Sequence, residues 1–135
     1  MTEENKSTIR MIREEIVGSQ NLDRLDGLYT AGYRYHGGTF GDLEGPDAFK
    51  MLLGGMAAVL DGYHEVVLDQ VAEGSKVVTR LGGGGNVVGE LLGVNGQGRR
   101  MDTNAIVISE FAPDGKIAEE WVVADTFAML KQISG

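Results

Sequence analysis

The chain has 135 residues, 42% of them apolar, a formal net charge of −8 and no cysteine. That length suits a single domain over 1–135 with one continuous core. The negative charge argues against nucleic acid, whose recognition needs a basic face, and against an anionic membrane surface. The lack of cysteine excludes disulfides, zinc–thiolate sites and thiol catalysis. The opening residues MTEENKSTIR hold no apolar signal segment, so the expected location is cytoplasmic. No apolar run reaches the length of a membrane span.

Residues 1–6 are expected to fray. Ser7 is a candidate N-cap for a helix in which Ile9, Ile12, Ile16 and Val17 form one stripe, with Gly18 ending it. Asn21 is placed to cap a short second helix carrying Leu22, Leu25, Leu28 and Tyr29 on one face. Tyr33-Arg34-Tyr35-His36 reads as a short strand. Pro46 suits the first turn of a third helix, where its missing N–H costs nothing. Phe49, Leu52, Leu53, Met56 and Leu60 give that helix its apolar face, and Asp61-Gly62 closes it.

From Tyr63 the pattern turns to strands. Alternation runs through Gln70, Glu73-Gly74 turns the chain, and Val77–Leu81 begins a second strand that Val87-Val88-Gly89 continues. Asn95–Gly98 is a loop. Met101–Asp125 predicts a long hairpin, because two alternating runs flank Ala112-Pro113-Asp114-Gly115 and glycine supplies the positive φ of a tight turn. Ala105, Val107 and Ser109 share a face of the first run. Glu120, Val122 and Ala124 share a face of the second, and which face looks inward stays open. Phe127, Leu130 and Ile133 mark a last helix. The fold class is α+β: a curved, mostly antiparallel sheet covered on one face by three to four helices, a half-closed cone with a cavity inside.

The run Gly82-Gly83-Gly84-Gly85 lacks the Gly-Lys-Ser/Thr or helix-opening context of a phosphate loop. It reads either as a bulge or hairpin tip, or as a stretch without side chains that widens a pocket. His36 and His64 lie on separate segments with no ligand spacing, so no metal site is expected. His36, with an ordinary pKa near neutrality, is a candidate general base or a hydrogen-bonded structural residue. A carboxylate inside an apolar pocket has a raised pKa and can shuttle protons, which makes Glu120 and Asp125 candidates. Asp125 serves equally well as the cap of the last helix.

Several short motifs stand in a common order: Asn21-Leu22-Asp23, Tyr33 with His36, Gly45-x-x-Ala48-Phe49, Gly89–Gly93 followed by Gly98-Arg99-Arg100, Asp114–Ile117, Glu120-Trp121, Asp125 and Leu130-x-Gln132. Together, from about Ile9 to Ile133, they resemble the SnoaL-like polyketide cyclases of the nuclear-transport-factor-2-like superfamily. The resemblance implies a cone-shaped α+β barrel, usually dimeric through its outer sheet face. It implies ring closure by intramolecular aldol condensation, with an aspartate as general acid/base and no cofactor. That aspartate aligns with Val122, and polar pocket positions align with Val87, Ala105 and Val107, so a more apolar, roomier pocket is expected here.

Three functions follow. The first is a cofactor-independent cyclase or isomerase acting on a hydrophobic, polycyclic, polyketide-like molecule. Glu120, Asp125 or His36 would move the proton, and Tyr33 or Tyr35 would donate to a developing enolate. Phe49, Met56, Val87, Asn104, Ala105, Val107, Trp121 and Val122 would line the pocket. The second is an epoxide hydrolase using Arg80, Asp102 and Asp125. The third is a non-catalytic carrier of a hydrophobic ligand, favoured by the apolar replacements. A homodimer without nucleic-acid or membrane partners is expected in each case.

Overall fold

A computed structural model describes residues 2–135. Ile9, Ile12, Ile16 and Val17 are all buried and tie the N-terminal helix to the sheet. This helix is α1 (Thr2–Arg10), which runs through a π-helical segment (Met11–Ile16) into a last turn, α2 (Val17–Ser19). It begins before Ser7, which lies inside α1 instead of capping it, so residues 2–6 are helical where fraying was expected. Glu3 and Glu4 in the first turn complement the helix dipole. Met1 lies outside the described residues. The helix stops at Gln20, in the left-handed conformation at φ 58°, two residues beyond Gly18. Leu22–Leu25 form one 3-10 turn with no side-chain cap from Asn21.

Strand β1 (Tyr29–Gly37) is longer than the Tyr33–His36 motif, and a two-residue β2 (Leu43–Glu44) pairs beside it. Pro46 opens α3 (Pro46–Val59), which buries Phe49 and Leu53. Leu60 is already extended and starts β3 (Leu60–Glu73), so it leaves the helical stripe. β4 (Lys76–Val87), a small β5–β6 hairpin (Glu90–Leu91 and Val94–Asn95), β7 (Arg99–Asp102), β8 (Ala105–Phe111), β9 (Ile117–Ala124) and α4 (Thr126–Ile133) complete the chain.

The main sheet runs β2-β1-β9-β8-β4-β3, with β7 added to the far half of β4. β1 and β9 are parallel; the other neighbours are antiparallel. The sheet curls into the half-barrel expected for the class, and the helices cover its concave side. The glycine run lies inside β4, where that strand exchanges β8 (last pair Leu81–Ala105) for β7 (first pair Gly84–Asp102). A Cβ on Gly83 would strike the His64 carbonyl, and one on Gly84 the Met101 carbonyl. The glycines therefore permit close backbone approach at an irregular bend. They form no hairpin tip.

The β8–β9 hairpin pairs Val107 with Val122 and Ser109 with Glu120. A register shift beside Ala118 puts both Ile117 and Glu120 on the buried side, while Trp121 and Val123 face outward. In α4 the buried residues are Met129 and Ile133; Phe127 points away at 78% exposure, because α4 lies against β7 along its other side. Among the described residues no helix is long and apolar enough to cross a membrane.

Candidate functional site

The concave face of the sheet and α3 enclose a cavity of about 600 Å³, counting solvent at its mouth. Its wall is largely apolar and aromatic: Phe49, Leu52 and Met56 from α3, Tyr35 from β1, Val107 and Ala105 from β8, and Val122 from β9. Asn104, Thr103 and Thr39 add polar groups. Arg13, Glu65 and Tyr63 also line it, and they form its one charged part.

Arg13 is placed by the π-helical segment, a geometry that recurs at functional sites. Only 5% of the residue is exposed. Its Nη1 donates to Glu65 Oε1 at 3.4 Å, and its Nη2 stands 4.0 Å from Glu120 Oε1. Nη2 is buried with no hydrogen-bond partner. The guanidinium also lies over the Phe49 ring, 5.5 Å from its centroid. Tyr63 donates its hydroxyl to Glu65 Oε2 at 2.8 Å. Burial by itself would favour loss of the Arg13 proton, but Glu65 and Glu120 outweigh it and hold the group charged, above its ordinary pKa. Burial pushes the Tyr63 hydroxyl up, and the Glu65 carboxylate pushes it further. Tyr35 is raised by burial, partly opposed by Arg13.

Seven of the pocket residues expected from the sequence line this cavity: Tyr35, Phe49, Met56, Asn104, Ala105, Val107 and Val122. Tyr33, Val87 and Trp121 do not. Tyr33 is fully buried behind the wall, with its hydroxyl committed to Glu120. Val87 sits at the end of β4 that has already crossed to β7, away from the cavity. Trp121 faces outward and stacks on His36 at 5.5 Å.

The three expected proton carriers also lie elsewhere. Glu120 is 1% exposed, and it accepts from Tyr33 Oη at 2.6 Å and Ser109 Oγ at 2.5 Å. It points inward as its face requires, yet unlike Glu65 it does not line the cavity. His36 lies on the outer face, because β1 pairs it with Trp121, and its Nε2 meets Glu119 Oε2 at 2.5 Å. Asp125 caps α4, accepting from the Ala128 N–H at 3.1 Å. The trio Arg80, Asp102 and Asp125 is not brought together at the cavity: Asp102 pairs with Arg100 at 3.0 Å, and Arg80 is exposed on β4. Among the described residues no group of three or more His, Asp or Glu is placed to hold a metal ion.

Arg13, Glu65 and Tyr63 are not among the site residues expected from the sequence, although each left a signal. Ile9, Ile12, Arg13 and Ile16 stand at i, i+3, i+4 and i+7, so a cation occupies a position on the apolar stripe. Tyr63, Glu65 and Val67 alternate on one face of β3, which puts a carboxylate between two inward residues.

The profile of the SnoaL-like polyketide cyclases matches residues 7–133. The chain belongs to that family. Similar solved structures include a candidate SnoaL-like polyketide cyclase from Jannaschia sp. CCS1, with 24% identity over 99% of this chain and 94% of that one and a TM-score of 0.87. IdmH, a candidate polyketide cyclase from Streptomyces antibioticus, has 24% identity over 97% of this chain and 99% of its own, with a TM-score of 0.81. AclR, a candidate hydroxylase from Streptomyces galilaeus, has 19% identity over 98% and 86%, with a TM-score of 0.83. No curated protein matches the chain. In this SnoaL-like chain, Ala105, Val107 and Val122 make the β8–β9 part of the wall apolar, and charge enters from the N-terminal helix and from β3 at the far edge of the sheet.

Proposed function

We propose that the protein is a cofactor-independent enzyme of cyclase or isomerase type, acting on a hydrophobic, polycyclic, polyketide-like ketone. One observation carries this reading: Arg13 and Glu65 stand side by side at a cavity whose other walls are mostly apolar, and Arg13 Nη2, 4.0 Å from Glu120, has no hydrogen-bond partner. A buried donor without a partner costs stability, so a site that keeps one gains when a ligand oxygen fills it.

In this reading the substrate carbonyl accepts from Arg13, with Tyr35 as a second donor. Glu65 removes a proton from the adjacent carbon, and the negative charge moves to the carbonyl oxygen, where the two donors hold it. In a cyclase the enolate carbon then attacks a second carbonyl of the same molecule, and the resulting alkoxide takes the proton back from Glu65. In an isomerase the proton returns to a different carbon. Phe49, Met56, Val107 and Val122 hold the flexible substrate in its reactive shape, which lowers the barrier by removing conformational freedom in advance.

The test is incubation with aromatic polyketides and polycyclic enones, followed by mass-resolved chromatography. A product of unchanged mass and altered retention, or one that has lost water, supports the reading. Glu65→Gln should then slow turnover by about 100-fold or more. An unchanged rate in that variant overturns the role of Glu65. The apolar side chains at Ala105, Val107 and Val122 favour a second reading, a non-catalytic carrier, whose signature is a compound that co-elutes with the protein unchanged.

The proposal includes a homodimer through the convex sheet face. Ile106, Ile108, Trp121, Val123, Val66 and Leu68 are exposed together there, and contiguous exposed apolar surface of this kind marks an interface.

A further inference from the structure

A second apolar space lies outside the cavity, in a groove between α3 and the β5–β6 hairpin. Met51, Gly55 and Val59 form one side, and Glu90, Leu91 and Leu92 the other. Phe40, Leu52 and Met56 line both the groove and the cavity, so these three side chains are the partition between the two. The groove encloses about 650 Å³ with open solvent included.

Two residues of the groove are choices that the fold does not need. Gly55 stands in the interior of α3, where glycine destabilises a helix relative to alanine. No atom lies within 4 Å of a Cβ added there, so close packing does not call for it. Leu92 and Gly93 form the two-residue turn of the β5–β6 hairpin at φ 52° and 80°. Asn-Gly or Asp-Gly is favoured in such a turn, and a leucine held in the left-handed region is strained. The Leu92 side chain is also 41% exposed and lines the groove. A missing side chain at Gly55 deepens the groove, and an apolar one at Leu92 walls it.

We infer that Phe40, Gly55 and Leu92 set the length of ligand the protein accepts. The ligand has a distal apolar arm that passes Phe40 and lies in the groove, while its carbonyl end sits by Arg13. This rests on the reading of the cavity as a site for a hydrophobic ketone. It specifies a substrate longer than the cavity, with a ketone at one end and an apolar extension.

The probes are 2-acetonaphthone and its longer-chain homologue 1-(2-naphthyl)octan-1-one, titrated by calorimetry. The chain has no cysteine, so Met51→Cys labelled with acrylodan gives a single reporter at the groove. The octanone should bind more tightly by about fourfold for each methylene that enters the groove, and it should shift the label's emission. Acetonaphthone should bind without shifting it. Gly55→Leu should weaken the octanone to the level of acetonaphthone and leave acetonaphthone unchanged, with Gly55→Ala as the folded control. Equal affinity for the two ketones, or an unmoved label with the octanone bound, overturns the inference and leaves the cavity reading standing. If acetonaphthone itself fails to bind, the cavity reading falls and the inference falls with it.

Discussion

The Tyr33 hydroxyl donates to Glu120 Oε1 at 2.6 Å, joining β1 to β9 across 87 positions of sequence. Ser109 holds the other carboxylate oxygen, so Glu120 is bound on both sides behind the cavity wall. Burial, with the Glu120 charge beside it, pushes the Tyr33 hydroxyl well above the ordinary tyrosine range. Glu120→Gln keeps the volume and loses charge-assisted hydrogen bonds, so it should lower stability by about 2 kcal/mol. Urea unfolding followed by circular dichroism measures this. Turnover should persist in the variant; its loss would return Glu120 to the chemistry.

Arg13 lies between Glu65 and Glu120 and pairs with both. Arg13→Met leaves the buried Glu120 and the largely buried Glu65 without their shared cation, and should destabilise the fold by about 3–5 kcal/mol. Neutralising the carboxylates as well, in Arg13→Met/Glu65→Gln/Glu120→Gln, should recover most of that loss. Denaturant midpoints of the single, double and triple variants give the coupling. Additive losses without recovery would mean the three groups act independently.

All four tyrosines of the chain, Tyr29, Tyr33, Tyr35 and Tyr63, are buried, and burial is the largest cause raising each one above the ordinary value of 10.0. In the unfolded chain they ionise near that value, while in the folded chain they keep their protons. The folded state therefore binds more protons above pH 10.0, and stability falls as pH rises past it. Tyrosinate absorbance should stay low until the fold is lost and then rise cooperatively with unfolding. A gradual rise near the ordinary pKa, ahead of any change in circular dichroism, would contradict this.

Asp125 holds the Ala128 N–H at the start of α4. Asp125→Ala removes an N-cap and should cost about 1 kcal/mol. Because Asp125 does not line the cavity, the pH dependence of turnover should be that of the parent protein. Thermal melts and a pH–rate profile separate the two roles.

The convex face offers a separate test. Ile106 and Val123 are paired neighbours on β8 and β9, and both are exposed. Ile106→Asp/Val123→Asp should give a monomer in sedimentation velocity where the parent gives a dimer, with the fold intact by circular dichroism. A parent protein that sediments as a monomer would overturn the dimer.

The helical stripe at Ile9, Ile12, Ile16 and Val17, the proline start of α3 and the β8–β9 hairpin were legible in the sequence, although Met101-Asp102, read as part of that hairpin, lie in β7. Each depends on periodicity or turn chemistry within a short window, and local backbone geometry decides those. The shared face of Glu120 and Val122 was legible for the same reason, since strand side chains alternate. The placement of chemistry was decided by tertiary contacts. Glu120 became a sealed structural carboxylate because Tyr33, distant in sequence, reached it when β1 paired parallel to β9. His36 and Trp121 were set on the outer face by that same pairing. Arg13, Glu65 and Tyr63 became one cluster only because the π-helical segment packs over β3. Local pattern alone sufficed for the longer elements and for the apolar β8–β9 part of the cavity wall. Long-range strand pairing and helix packing decided which charged groups meet there, because an interaction between distant residues leaves no periodic trace in the chain.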